Sequence, residues 1–207
     1  MAIICRDRHA FLAFASILVL TLTACEQARE KNSAQSTTQS ATTVADEFLI
    51  TTDSIGPAIL GMARSALSAQ LKIIRDTLEI VFEDMTDSVL VLGFSGDTIR
   101  AGIDSGRTNR LTVTSPRFRT ADSISVGTPI IRFLSEPGVY VWASEGQATL
   151  WSPSHCGMGF RLFDGTSGYP PAGLGDSADS LGVARLRELP KTTQVGEISV
   201  YGCKQSR

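Results

Sequence analysis

Histidine is nearly missing from this chain: two occur in 207 residues, His9 and His155. A centre built on clustered imidazoles therefore has nothing to draw on. Cysteine is scarce as well, with Cys5, Cys25, Cys156 and Cys203 and no C-x-x-C pair to suggest a zinc ribbon or a redox motif. There is no P-loop, no dinucleotide fingerprint, no zinc-protease helix and no Gly-x-Ser-x-Gly elbow. Charge of one sign is missing too. Nineteen Lys and Arg stand against 21 Asp and Glu, spread along the chain. That distribution supplies neither a basic stripe for nucleic acid nor a polybasic patch for anionic lipid. Apart from one apolar run near the start, no stretch approaches the length needed to span a bilayer.

That run carries the most specific signal. Arg6 and Arg8 precede an apolar segment from Ala10 to Leu22, which closes on Leu22-Thr23-Ala24-Cys25. The tetrapeptide resembles the lipobox of bacterial lipoprotein precursors. The resemblance covers residues 1 to 25. It implies that the Cys25 thiol receives a diacylglycerol, that small residues let a peptidase reach the backbone, and that cleavage leaves Cys25 as the acylated N-terminus. A retained signal anchor is the competing reading. The 15 residues from Ala10 to Ala24 make a helix of only about 22 Å, short of a hydrocarbon core of roughly 30 Å. An ordinary secretory peptide, with Cys25 a plain thiol, is the other alternative.

Removing the first 24 of 207 residues leaves 183. Arg6, Arg8 and Asp7 go with the leader, so 17 basic residues face 20 acidic ones. Attachment to a membrane then rests on acyl chains. Cys156 and Cys203 remain as one pair, which in an exported chain reads as a disulfide. A metal site is the alternative, but two cysteines and the lone His155 do not match a structural zinc spacing. No cofactor is expected. Residues 25–46 are polar with no aromatic side chain and little to bury, so they read as a lipidated N-terminus and a disordered tether. The 21 residues from Glu26 to Asp46 span about 25 Å on average.

From residue 47 to 207 the pattern is that of one globular domain in two halves, about 47–120 and 121–207. Met62, Ala66, Ala69 and Ile73 have helical spacing within Met62 to Ile74. In the second half Thr128 suits an N-cap and Pro129 a first helical position, with Ile130, Ile131 and Phe133 inward. Alternation predicts strands at Leu78–Phe82, Val89–Phe94, Thr98–Ile103 and Arg110–Thr114, then at Val139–Ala143, Ala148–Trp151, Met158–Phe163 and Val195–Tyr201. If the last two are antiparallel neighbours, Cys156 and Cys203 lie side by side. The expected fold class is α+β, with two repeated halves, each one helix packed on a four-stranded antiparallel sheet. This order resembles the tandem helix-plus-sheet fold of the beta-lactamase inhibitory protein and the small outer-membrane assembly lipoproteins of the SmpA/OmlA type. That resemblance covers Ile55 to Tyr201 and rests on element order and the Gly61 and Gly127 turns. No family binding residue carries over.

Candidate contact residues come from two places. Tyr140 and Trp142 share one face of a strand, and Trp151 falls on the neighbouring one. On a solvent-facing sheet they form a patch for a protein partner; under the second helix they are core. The stretch Asp164–Leu181 is long for a loop between paired strands, and Tyr169 and Leu174 are its contact candidates, whether it is a mobile insertion or a binding loop. Calcium ligation by Asp164, Asp176 and Asp179 lacks the EF-hand spacing. For hydrolysis only His155 is available as base, and sequence neighbours such as Ser154 rarely point at one another productively. The expectation is a lipid-anchored envelope protein that binds a protein partner and performs no catalysis. An envelope hydrolase and a small apolar-ligand carrier are the alternatives. Glu26 is not the aspartate associated with inner-membrane retention, which favours the periplasmic face of the outer membrane, or the outer face of the cytoplasmic membrane in a one-membrane cell. Cells fed a clickable palmitate are expected to label the wild-type chain and not the Cys25→Ala variant; a label that survives the substitution removes the lipobox reading.

Overall fold

The strong alternation after Lys72 sets the architecture. A computed structural model describes residues 46–82, 85–144, 147–171 and 180–203. The leader, Cys25, the tether up to residue 45 and Leu174 lie outside these residues. A single 3₁₀ turn (Asp46–Phe48) leads into three two-residue strands, β1 (Leu49–Ile50), β2 (Ser54–Ile55) and β3 (Ala58–Ile59). Helix α1 (Arg64–Gln70) follows, then the long hairpin β4 (Lys72–Phe82) and β5 (Met85–Phe94), with β6 (Asp97–Asp104) and β7 (Arg107–Val113) continuing the meander. Ser95-Gly96 and Ser105-Gly106 make the last two turns, with positive φ at both residues of each pair. That is the mirror-image turn whose twist matches its flanking strands.

The chain then passes through β8 (Arg119–Thr120) and a 3₁₀ turn (Ile130–Phe133) to β9 (Tyr140–Ser144) and β10 (Gln147–Trp151). A second 3₁₀ turn (Pro153–His155), β11 (Met158–Asp164), β12 (Ser180–Gly182), one turn of helix α2 (Val183–Leu186) and β13 (Thr193–Val200) complete it. Two sheets result. The small one runs β3-β2-β1-β8; the large one runs β12-β9-β10-β11-β13-β7-β6-β5-β4.

The expected fold class is therefore corrected. The protein is mostly β, and no helix-on-sheet unit is repeated. The eight anticipated strands form close to where alternation placed them, but they do not divide into two four-stranded sheets. β13 pairs with β11 on one side and with β7 on the other, with Ile198 opposite Val113 and Val200 opposite Leu111. This seam fuses both halves. The helices shrink for local reasons. α1 stops at Gln70 because Lys72 and Ile73 already pair with β5, so Leu67 and Leu71 rather than Ala69 and Ile73 are its buried positions. After Pro129 the chain makes only a 3₁₀ turn, which buries Ile130 and Phe133 and leaves Ile131 exposed.

One face of the large sheet carries the core. Leu90, Leu92, Ile99, Ala101, Leu111, Phe160 and Ile198 join Leu67 of α1, Ile50 and Ile55 of the small sheet, Phe133 and Leu186 in one apolar cluster. Among the described residues the helices, the small sheet and the Ile130 turn thus lie on one side of the large sheet. Among the described residues no helix is long and apolar enough to cross a membrane.

Cys156 and Cys203 form a disulfide, with Cα atoms 5.1 Å apart and a sequence separation of 47. It clamps the start of β11 to the end of β13, as the register of Met158 opposite Val200 requires. Gly157 is needed beside it: its φ is 76°, and a Cβ there would come within 2.4 Å of the Gly202 backbone. Replacing both cysteines by serine is expected to lower stability by up to about 4 kcal/mol, the loop-closure value for a separation of 47. Urea unfolding of oxidised wild type against the double variant measures it.

Candidate functional site

Strand register decides which face the aromatic residues occupy. One row of paired positions crosses the sheet through Arg100, Thr112, Ser199, Gly159, Trp151 and Tyr140; the next contains Glu197, Arg161, Thr149 and Trp142. All lie opposite the core face. Val139, Val141 and Ala143 are buried on the other side, whereas Tyr140 and Trp142 keep 40% and 47% of their surface exposed. Of the two alternatives for the trio, the structure places it on the open face. Trp151 stacks against Tyr201 at 5.5 Å between ring centroids, which adds a fourth aromatic residue that the sequence reading did not single out.

Beside the aromatics the open face sinks into a polar trough of about 140 Å³, bounded by residues including Arg100, Arg110, Arg161, Glu79 and Glu197. Arg100 pairs with Glu79 and lies 3.5 Å from Glu197; Arg161 reaches Glu197 at 4.0 Å and lies 5.3 Å from the Phe163 ring centroid. Arg110 pairs with Asp87 at 3.2 Å. Under this layer the Thr112 and Ser199 hydroxyls hydrogen-bond at 2.9 Å, satisfying both where β7 meets β13. Tyr169 sits apart, in the turn after β11, where it is 74% exposed and its carbonyl accepts from the Asp164 amide.

A second constellation lies on the other side of the sheet. His155 is buried, edge-on to Phe133 and Phe160 with centroids 6.4 and 5.4 Å away. Its Nδ1 lies 2.9 Å from Ser154 Oγ and its Nε2 lies 3.2 Å from Asp122 Oδ1. The sequence neighbours do meet. Ser152 caps the Pro153–His155 turn, and a short serine side chain there reaches the nearer nitrogen of the next residue's ring. Glu136 Oε2 accepts from Ser152 and from Ser154 Oγ, the latter at 2.7 Å. Arg132 bridges the two carboxylates, 3.0 Å from Asp122 and 3.5 Å from Glu136. These groups rim a cleft of about 610 Å³ whose walls include Leu49, Ile50 and Met158. Asp122 and Glu136 carried no signal in the sequence, since 33 residues separate Asp122 from His155 and no motif joins them. Among the described residues no group of three His, Cys, Asp or Glu side chains is placed to hold a metal ion.

The chain matches no protein-family model and no curated protein. One solved structure is similar in fold. It is the uncharacterized protein yfeY from Escherichia coli, at a TM-score of 0.51 and 13% identity, covering 73% of this chain and 98% of that one. The similarity concerns the fold alone.

Partial burial pushes the Asp122 carboxyl upward, but hydrogen bonds from Thr120 and His155 outweigh it and hold the group below the usual carboxylate range. A depressed folded-state value means that Asp122 contributes stability above the ordinary carboxylate pKa of about 3.9 and loses it as pH falls through its own lower value. Asp122→Asn is expected to unfold at lower urea than wild type at pH 7, with the gap closing as pH falls below about 4. Urea midpoints across that range check the sign.

Proposed function

We propose that the protein is a lipid-anchored envelope lipoprotein that works by binding a protein partner on the open face of its large sheet. The anchoring half of this reading rests on Leu22-Thr23-Ala24-Cys25, and the periplasmic face of the outer membrane as its location rests on Glu26. The binding half is carried by one observation: Tyr140, Trp142, Trp151 and Tyr201 share the sheet face that, among the described residues, no helix covers. Aromatic side chains bury a large area for few rotatable bonds, which makes them effective anchors in protein interfaces. The trough beside them adds arginine, a second residue enriched at such anchors, already paired within the protein and so positioned before any partner arrives.

The polar, aromatic-free composition of residues 26–46 fits a tether between lipid and domain in this reading. A photo-crosslinking amino acid at position 142 is expected to capture one defined envelope protein in intact cells. Converting Tyr140, Trp142 and Trp151 together to Ala should cut co-purification of that protein at least tenfold, with little change in melting temperature, because two of the three side chains are well exposed. Undiminished recovery with the triple variant removes the proposal.

A further inference from the structure

We propose that the cleft around His155 is a hydrolytic site for small uncharged carboxylic esters, with Ser154 as nucleophile and His155 as its general base. The activity lies beyond the binding reading and uses the opposite side of the sheet. The hydrogen-bond donors decide the direction of proton flow. An ionised Asp122 only accepts, so the contact at His155 Nε2 places the ring proton on that nitrogen. Nδ1 then offers a lone pair, and Ser154 Oγ at 2.9 Å is the hydroxyl that meets it. Ser154 Oγ also donates to Glu136 Oε2 at 2.7 Å, so its proton has two acceptors within reach, and rotation about the Cβ–Oγ bond turns it to Nδ1. Asp122 is fixed in turn by Thr120 at 2.6 Å and Arg132 at 3.0 Å, so the base is oriented by a group that is itself held.

Ser154 is exposed while His155 is buried, which leaves the nucleophile open to the cleft and shields the base. The volume of about 610 Å³ suits a small molecule, and Leu49, Ile50 and Met158 offer an apolar wall to an acyl or alkyl chain. Two carboxylates against one guanidinium at the rim disfavour an anionic substrate. In the reaction Oγ bonds to the ester carbonyl carbon as its proton passes to Nδ1. The carbon–alkoxide bond then breaks and the leaving alkoxide takes that proton. Water repeats the sequence on the acyl-serine, releasing the carboxylic acid and restoring Ser154 and neutral His155. Asp122 stays ionised throughout.

The test uses the full lipidated chain in detergent, a fluorophosphonate probe and 4-nitrophenyl butyrate. Expected are a single phosphonyl adduct on Ser154 and ester hydrolysis that Ser154→Ala abolishes. His155→Gln should slow labelling at least a hundredfold and Asp122→Asn about tenfold. Ser154→Ala removes a hydroxyl that donates to Glu136 and lies beside His155, so a melting temperature and disulfide unchanged from wild type show that its fold is intact. Wild type that takes no adduct, an adduct that persists on Ser154→Ala, or loss of labelling with Glu136→Gln but not with His155→Gln overturns the assignment.

Discussion

The insertion of β13 between β11 and β7 is the constraint on which the rest of the structure depends. Each flanking meander is local, closed by short turns, and would form a sheet with two raw edges. The last strand removes one edge from each, pairing along Thr193–Val200 with β11 and at Ile198–Val200 with β7. The contacts this makes are long-range: Thr112 meets Ser199 across 87 residues and Arg100 reaches Glu197 across 97. Closing such a loop costs entropy that local hairpins avoid. The Cys156–Cys203 bridge fixes β13 against β11, so its remaining task is to find β7. At that seam Leu111, Val113, Ile198 and Val200 are buried on the core side, and the Thr112–Ser199 pair seals the other.

A single wide sheet has a consequence for its surfaces. The helices, the small sheet and the Ile130 turn are together enough to cover one face, where they complete the apolar cluster. The opposite face must therefore be polar, aromatic or both. It is: Glu79, Arg100, Glu197 and Arg161, on β4, β6, β13 and β11, form a chain of pairs, with aromatic rings at one end. Partly exposed pairs of this kind add little stability, about 0–1 kcal/mol each, so their arrangement is better understood as a prepared polar surface than as structural reinforcement.

Strands were legible in the sequence because period-two alternation is written into each one; Ile99, Ala101, Leu111 and Val113 mark the buried side without help from partners. The disulfide was legible for the same reason, since correct strands put both cysteines at neighbouring ends. What alternation does not encode is which strand lies next to which. Two four-stranded sheets and one continuous sheet can be built from the same eight anticipated strands, and the pairing of β13 with β7, Ile198 opposite Val113, separates them, with β12 adding a ninth strand that alternation did not mark. The helices failed for a different reason. Met62, Ala66, Ala69 and Ile73 have the right spacing, yet Ile73 pairs with Leu92, and the strand outcompetes the helix end. The aromatic trio was visible as a face but not as an exposed one. The Asp122–His155–Ser154 contacts had no sequence signature, being brought together by the Thr120–Ile124 turn, in which the Thr120 hydroxyl accepts from the Ile124 amide.

β11 joins the two candidate surfaces physically. Its residues alternate between them: Met158 lines the His155 cleft and Phe160 packs on the His155 ring, while Gly159 and Arg161 face the trough. Gly159 has no room to spare, as a Cβ there would meet Thr149 at 3.0 Å and Trp151 at 3.3 Å. Trp151 therefore lies directly over backbone whose other side supports the cleft. The sheet separates the aromatic patch from the cleft mouth. The β11–β13 register shifts between Arg161 and Leu162, one step beyond the Phe160 contact, because β13 carries an extra residue there, Gly196. The proposed binding on one face and the proposed chemistry on the other would share one strand, and the disulfide beside Met158 ties the cleft end of that strand to β13.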